Sequence, residues 1–313
     1  MAEAPPFPSP TKRWHTKAQP STSPTRPELS AKGKSVLITG GGNTGIGGET
    51  ARCFAQAGAS RIALLGRREK PLLDNKTFIE NNFPGVKVFT ISADVTKKSD
   101  VDAAFSQFAG NGKIDVLVHS AATVGPKEAV ADVDSKEYLE TIQSNLAGSL
   151  FVAQAFLRYA APDAVAVAIN SWAAHLSLNN LFASYCVAKM AVYRLWDTVA
   201  IANPNLSIFH TQPGVILTEM NLSVGGAASF KDVKTDDGKW NRDNAEYREA
   251  DFDIVSLPAS FNVWLASPEA RFLKGKFLWC NWDVDELKAQ AKEIEAGTKL
   301  NIGLVGWPFE NAS

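Results

Sequence analysis

Tyr185 and Lys189 stand four residues apart in Tyr185-Cys186-Val187-Ala188-Lys189. On a helix, positions i and i+4 share a face. An ammonium one turn from a phenol favours the phenolate and draws its pKa from about 10 toward neutrality. A phenol tuned in this way exchanges a proton with an alcohol or carbonyl oxygen. Ser171 and Ser177 lie between the preceding apolar run and Tyr185. Ser171, directly after that run, is the preferred hydroxyl and Ser177 the alternative.

A second constellation lies near the start of the chain. Thr39-Gly40-Gly41-Gly42-Asn43-Thr44-Gly45-Ile46-Gly47 follows an apolar run and opens a helical stretch. Glycines there allow a tight turn and a close backbone approach to a pyrophosphate. The helix N-terminus adds free N–H groups and a positive dipole end. The next run ends Leu64-Leu65-Gly66-Arg67-Arg68. A dinucleotide site that prefers NAD places a carboxylate at this point, on the ribose 2′-hydroxyl. Here Gly66 has none, and Arg67 offers a guanidinium suited to a 2′-phosphate. These residues predict an NADP(H) site.

Together these motifs resemble the short-chain dehydrogenase/reductase family over residues 33 to about 285. The family's glycine turn is Thr-Gly-x-x-x-Gly-x-Gly. Here four residues separate Gly40 from Gly45, so either the loop holds one extra residue or its first glycine has moved to Gly41. The resemblance implies cofactor contacts from Gly41, Asn43, Thr44, Gly45, Ile46 and Gly47. It assigns adenine contact to Asp94-Val95 and a place beside the cofactor to Ser120 in His119-Ser120-Ala121-Ala122. His119 departs from the family's asparagine there and reads as a structural substitution. The resemblance makes Tyr185 and Lys189 both catalytic and cofactor-binding, and makes Ser171 the donor to the substrate oxygen. Asn145 becomes the helix residue that holds a water linking Lys189 to solvent. Val215 and Thr218, in Pro213-Gly214-Val215-Ile216-Leu217-Thr218, become nicotinamide contacts. The long N-terminus and the tail Ile302-Gly303-Leu304-Val305-Gly306-Trp307-Pro308 resemble a fungal subgroup.

The elements that must position these residues are legible as alternating runs. Ser35–Ile38, Ile62–Leu65, Val86–Phe89, Ile114–Val118, Val165–Ile169, Leu206–Phe209 and Phe277–Trp279 are short and apolar. Strands covered on both faces have this character. Helical periodicity separates them, as in 50–55 and 145–156. The pattern predicts an α/β, Rossmann-type doubly wound parallel sheet of seven strands with helices on both faces. Residues 1–31, rich in proline and serine, resist helix and sheet and predict a surface arm. Residues 32–313 are expected to form a single dinucleotide-binding catalytic domain. Residues 219–250 break the rhythm and predict a substrate loop, with Gly225-Gly226 as hinge, Met220, Leu222 and Phe230 toward substrate, and a charged run from Lys231 to Arg248 in solvent.

Composition narrows the function further. The chain has 313 residues and a net charge of -1, which argues against nucleic-acid and membrane surfaces. Cys53, Cys186 and Cys280 form no CxxC pair, so neither a metal site nor a disulfide framework is expected. No apolar stretch is long enough to span a bilayer and no leader pattern is visible, which predicts a cytoplasmic protein. The expected partners are the cofactor, a small carbonyl or alcohol substrate and, as an open option, further copies of the chain. Trp172, His175, Leu176 and Phe182 are the expected pocket walls. They suit a mid-sized, largely apolar ketone, of polyketide or terpenoid type. A non-redox cyclase or a cofactor-binding regulator on the same fold is the competing class.

Overall fold

The computed structural model of the chain describes residues 7–42, 44–176, 182–226 and 253–304. Asn43, Ser177, Phe230, the charged run 231–248 and the tail beyond 304 lie outside them.

Seven strands build one sheet: β1 (Ser35–Thr39), β2 (Arg61–Gly66), β3 (Lys87–Ser92), β4 (Ile114–His119), β5 (Ala160–Ile169), β6 (Ser207–Gln212) and β7 (Phe277–Trp279). Their order is β3-β2-β1-β4-β5-β6-β7, and every pair is parallel. Alternate side chains point to opposite faces of a strand, and both faces are apolar. Val36, Ile38, Ile62, Leu64, Val116 and Val118 pack on one side, with Phe54 of α1 (Ile46–Gln56), Ile79 of α2 (Glu69–Asn82) and Trp264 of α7 (Ser256–Leu265). Leu37, Ala63, Leu65, Leu117 and Ala166 pack on the other. There they meet Phe105 of α3 (Lys98–Ala109), Phe156 of α4 (Ser135–Tyr159) and Trp196 of α5 (Ala183–Ala202). The doubly wound expectation therefore holds, and its cause is this two-sided burial. β5 starts earlier than its apolar run suggests. It follows α4 without an intervening residue, pairing Ala160 with Ile114 across a register shift.

The strand order reverses between β1 and β4. In such folds a crevice opens there, beyond the carboxyl ends of the strands. The glycine turn follows β1, Ser120 follows β4, Ser171 follows β5, and Pro213-Gly214 follows β6, so four loops converge on one side of the sheet.

The N-terminal arm has two short 3-10 turns, Pro20–Thr22 and Pro27–Leu29, and otherwise little regular structure. It is nevertheless sewn to the body. Trp14 bridges Trp282, and Arg13 pairs with Asp283 (2.8 Å) and Glu286 (2.9 Å) at the head of α8 (Val284–Ala289). Gln19 Nε2 donates to the Trp282 carbonyl (2.7 Å), and Arg26 pairs with Glu269 (2.7 Å). The chain beyond β7 closes with α8 and α9 (Ala291–Ala296). Among the described residues no helix is long and apolar enough to cross a membrane.

Candidate active site

The glycine turn is set by sterics. Gly40 has φ +70°, and a Cβ on it would lie 3.2 Å from the backbone of Ser120 and Ala121. Gly45 has φ +92°, and a Cβ on Gly47 would lie 2.4 Å from the Gly40 carbonyl oxygen. Gly40 is thus the tight-turn glycine, and the extra residue lies inside the loop. Gly41, expected to touch the cofactor, does not line the cleft. Its N–H donates to the Leu65 carbonyl (3.1 Å), and its own carbonyl accepts from Asn75 Nδ2 (3.2 Å). The longer loop folds this peptide inward, where β2 and α2 satisfy it. Asn75 is fully buried. Its amide also donates to the Gly48 carbonyl (3.2 Å), and its Oδ1 accepts from Arg52 Nε (3.0 Å). One turn earlier on α2, Pro71 lies against Gly42. α2 therefore holds the loop from behind, which no local signal in the sequence announced.

The loop faces a cleft of about 620 Å³ that runs along the carboxyl ends of the strands. Thr44, Gly45, Ile46 and Gly47 line it, as do Arg67, Asp94, Val95, Ser120, Asn145, Ser171, Tyr185, Lys189, Val215 and Thr218. The expected residues other than Gly41 and Asn43 are thus brought together. The close-packed glycines, the N-terminus of α1 and a cleft of this size fit a dinucleotide pyrophosphate.

At the end of β2, Arg67 is exposed, and Arg68 pairs with Glu219 (2.5 Å). Glu219, the first residue of α6 (Glu219–Ser223), also accepts from Thr44 Oγ1 (3.2 Å). Glu219 so joins the glycine loop to the β2 end, a tie the sequence did not signal. Asp94 accepts from the N–H and hydroxyl of Thr96 (3.0 and 2.8 Å), and these bonds hold its carboxyl below the usual range.

His119 is buried beneath this floor. Thr39 Oγ1 accepts from the N–H groups of Ser120 and Ala121 (both 3.1 Å), so its own proton is left for His119 Nδ1 (2.9 Å). His119 Nε2 then donates to Ser149 Oγ (2.9 Å). Burial lowers its pKa to about 3. It is a neutral strut between β1, β4 and α4, as its position at the strand end suggested.

At the reacting end, Ser171 and Tyr185 both line the cleft, and the Ser171 hydroxyl acts to lower the phenol's pKa. The Ser171 hydroxyl oxygen accepts from the Ala173 N–H (3.2 Å), which leaves its proton for the phenol or a substrate oxygen. Lys189 Nζ donates to the Ile169 carbonyl (3.0 Å) and lies 5.4 Å from the centre of the Tyr185 ring. The electrostatics depart from the expectation. Burial pushes the Tyr185 phenol above its usual value, opposed by the Ser171 hydroxyl, and no lowering by Lys189 offsets it. The ammonium itself is desolvated, with its pKa lowered to about 8. The phenol is therefore protonated at neutral pH, the form that donates to a carbonyl oxygen.

Asn145, on α4, donates to the carbonyls of Thr123 (2.9 Å) and Thr141 (2.8 Å) and accepts from the Thr123 N–H (3.2 Å). It pins the loop after β4 to the helix beside the cleft. Thr218 Oγ1 accepts from the Asn221 N–H (3.2 Å), capping α6, and keeps its proton for a ligand. Val215 donates to Asp253 Oδ2 (2.8 Å) and its carbonyl accepts from the Asp253 N–H (3.0 Å). Asp253, its pKa raised to about 6 by burial, also accepts from Asn281 (3.0 Å). This clamp on the turn after β6 has no signature in the local sequence.

Of the expected pocket walls, Trp172 and Phe182 line the cleft. His175 does not. It accepts from Trp279 Nε1 (3.0 Å) and stays neutral, its pKa lowered to about 4 by burial. Leu176 packs into the core. Phe182 takes the left-handed conformation (φ 57°) just before α5, a strained state for a residue with a Cβ. Met220 lines the cleft, whereas Leu222 is exposed and does not.

Comparison with known proteins agrees with this geometry. Residues 34–227 match the profile of a family described as short chain dehydrogenase. A "Short chain dehydrogenase/reductase" of Claviceps purpurea (strain 20.1) is 30% identical over 96% of this chain and 95% of its own length. "Short chain dehydrogenase citE" of Monascus ruber is 31% identical over 93% of this chain and 96% of its own. A short chain dehydrogenase from Burkholderia cenocepacia J2315, solved in complex with NADP, superposes with a TM-score of 0.68 at 21% identity, covering 82% of this chain and 99% of that one. The chain belongs to the short-chain dehydrogenase family.

Proposed function

We propose that this oxidoreductase uses NADP(H) to interconvert a ketone and a secondary alcohol on a mid-sized, largely apolar substrate, a secondary metabolite in class. The observation that carries the reading is the convergence of Tyr185, Ser171 and Lys189 at one end of a cleft whose other end offers Arg67 and no carboxylate at Gly66. The bound cofactor supplies the hydride; the protein supplies alignment and proton transfer. Tyr185, held protonated by burial, gives its proton to the substrate oxygen in the reductive direction. The Ser171 hydroxyl donates to the same oxygen and steadies its developing charge. Lys189, its ammonium turned to the Ile169 carbonyl, keeps positive charge near the phenol as the proton leaves. Asn145 holds the wall through which a water reconnects Lys189 to solvent. Arg67 would hold the 2′-phosphate of the bound cofactor, and Thr218 its carboxamide. Trp172, Phe182 and Met220 form the apolar walls that select the substrate.

The test is oxidation of NADPH and NADH, followed optically, with a panel of aryl, alicyclic and polycyclic ketones. Reduction of an apolar ketone with NADPH preferred by about tenfold or more supports the reading. Preference for NADH removes the NADP assignment. Tight cofactor binding without turnover on any ketone or alcohol favours a regulator or cyclase instead.

A further inference from the structure

The N-terminal arm reaches the substrate end of the cleft by two routes. In the first, the Phe7 ring meets the Trp172 indole edge-on, with centroids 5.5 Å apart and planes at 86°. Trp172 is the residue after Ser171, and its indole is nearly buried while still lining the cleft. Phe7 also packs on Trp279 (5.2 Å) and Trp14 (6.1 Å), and Trp279 meets Trp172 edge-on (6.3 Å). The indole that faces substrate is thus backed by rings from the arm and from β7. In the second route, Asn281 Nδ2 donates both to the His15 carbonyl (2.9 Å) and to Asp253 Oδ1 (3.0 Å), and Asp253 holds Val215. Anchors behind Phe7 fix the arm. Gln290 Nε2 donates to the Pro10 carbonyl (2.9 Å), and Arg13 pairs with Asp283 and Glu286.

The geometry points to Phe7 as a specificity-determining positioning residue. It is a buttress from the arm that fixes how deep the Trp172 wall stands, and so which ketones fit beside Ser171 and Tyr185. This rests on the reading of the cleft as a ketone site. Edge-to-face aromatic contacts have a defined geometry and a favourable energy beyond area alone. Tightly packed interiors pass on a lost ring as a shifted neighbour. Removing Phe7 opens space behind Trp172 and lets the indole retreat. The pocket then gains room on the substrate side, while the pyrophosphate end, at the turn after β1, is untouched.

The experiment compares Phe7→Ala and Phe7→Leu with the parent enzyme on acetophenone and the bulkier acetylnaphthalene. It also follows hydrogen exchange in two segments, 171–176 and 35–66. For Phe7→Ala, the ratio of kcat/KM for the bulky over the small ketone should rise about tenfold, carried by KM for the ketone. KM for NADPH should stay unchanged, and exchange should quicken in 171–176 but not in 35–66. Phe7→Leu, which refills much of the space, should return both readouts most of the way. An unchanged ratio together with unchanged exchange in 171–176 overturns the proposal. So does a uniform loss on both ketones accompanied by weaker NADPH binding, which marks general destabilisation. If the parent enzyme reduces neither ketone, the reading of the reaction is what fails. Exchange in 171–176 then decides on Phe7 alone: faster supports it, unchanged overturns it.

Discussion

Tyr185 illustrates how burial and pairing compete in one side chain. Spacing alone suggests a phenol drawn down by Lys189, but desolvation acts on both groups, raising the phenol and lowering the ammonium. On the proposed reading the phenol serves as an acid across the neutral range, and Lys189 is the group that titrates near it. As pH rises through about 8, Lys189 loses its proton and with it the positive charge beside the departing phenol proton. The rate of ketone reduction at saturating substrate should therefore be flat at neutral pH and fall above about pH 8, measured as a kcat–pH profile. A rate that climbs through pH 8–9 contradicts this. Tyr185→Phe keeps the ring and removes the proton. NADPH affinity, read by nicotinamide fluorescence, should stay within about threefold, while turnover drops by about a hundredfold or more. Arg67 and Arg68 separate in the same way. Arg68 is already paired with Glu219, while Arg67 makes no ion pair among the described residues. Arg67→Ala should raise KM for NADPH about tenfold or more and leave NADH nearly unchanged. Arg68→Ala should have the smaller effect on that ratio.

The glycine loop depends on the helix behind it. Asn75 uses its two N–H groups and its oxygen to join the Gly41 carbonyl, the Gly48 carbonyl and Arg52, all without solvent contact. Replacing it leaves the buried Gly41 carbonyl without its donor, at about 1–3 kcal/mol where no water enters, while the Gly48 carbonyl keeps its partner within α1. Asn75→Leu should lower the melting temperature and raise KM for the cofactor several-fold. Because the loop is far from Tyr185, kcat at saturating cofactor should remain near the parent value. A loss in kcat with unchanged cofactor KM would mean that Asn75 does not act through the loop. Much of this element is visible in the sequence: the run Ser35–Ile38, the glycines and the helix that follows. The clamp is not, because Asn75 lies 34 residues from Gly41 and only the packing of α2 on the sheet brings them together.

For the whole molecule, a buried lysine is a liability that the fold carries. The Lys189 pKa falls from its ordinary 10.5 to about 8, which at 1.36 kcal/mol per unit corresponds to about 3 kcal/mol. Between pH 8 and 10.5 the unfolded chain binds the proton and the folded chain does not, so stability rises with pH across that window. Below about pH 8 both states are protonated and the full penalty remains. Lys189→Met removes it while losing a charge-assisted bond to Ile169, worth about 1.5–3 kcal/mol. The variant should be inactive yet at least as stable as the parent at pH 7, by up to about 1.5 kcal/mol in denaturant titration, with any gain shrinking by pH 10. Lower stability at pH 7 would show that the ammonium is better solvated than its burial indicates.

Along the chain, the alternating apolar runs and helical stretches determine a parallel, doubly wound sheet, because strands covered on both faces must be apolar throughout. The same one-dimensional pattern places Tyr185 one turn before Lys189, Ser171 at the end of β5 and the glycines at the head of α1. These are short-range facts, set by helix pitch, strand period and steric freedom at glycine. Tertiary structure alone decided which glycine makes the tight turn, that Gly41 faces inward, and that His175 supports Trp279 and does not line the cleft. It also decided the direction of the Tyr185 shift, and it joined Phe7 to Trp172 and His15 to Asn281 across most of the chain's length. The reason is physical: desolvation and ring packing depend on which surfaces meet, and residues so far apart in sequence carry no local sign of their partner.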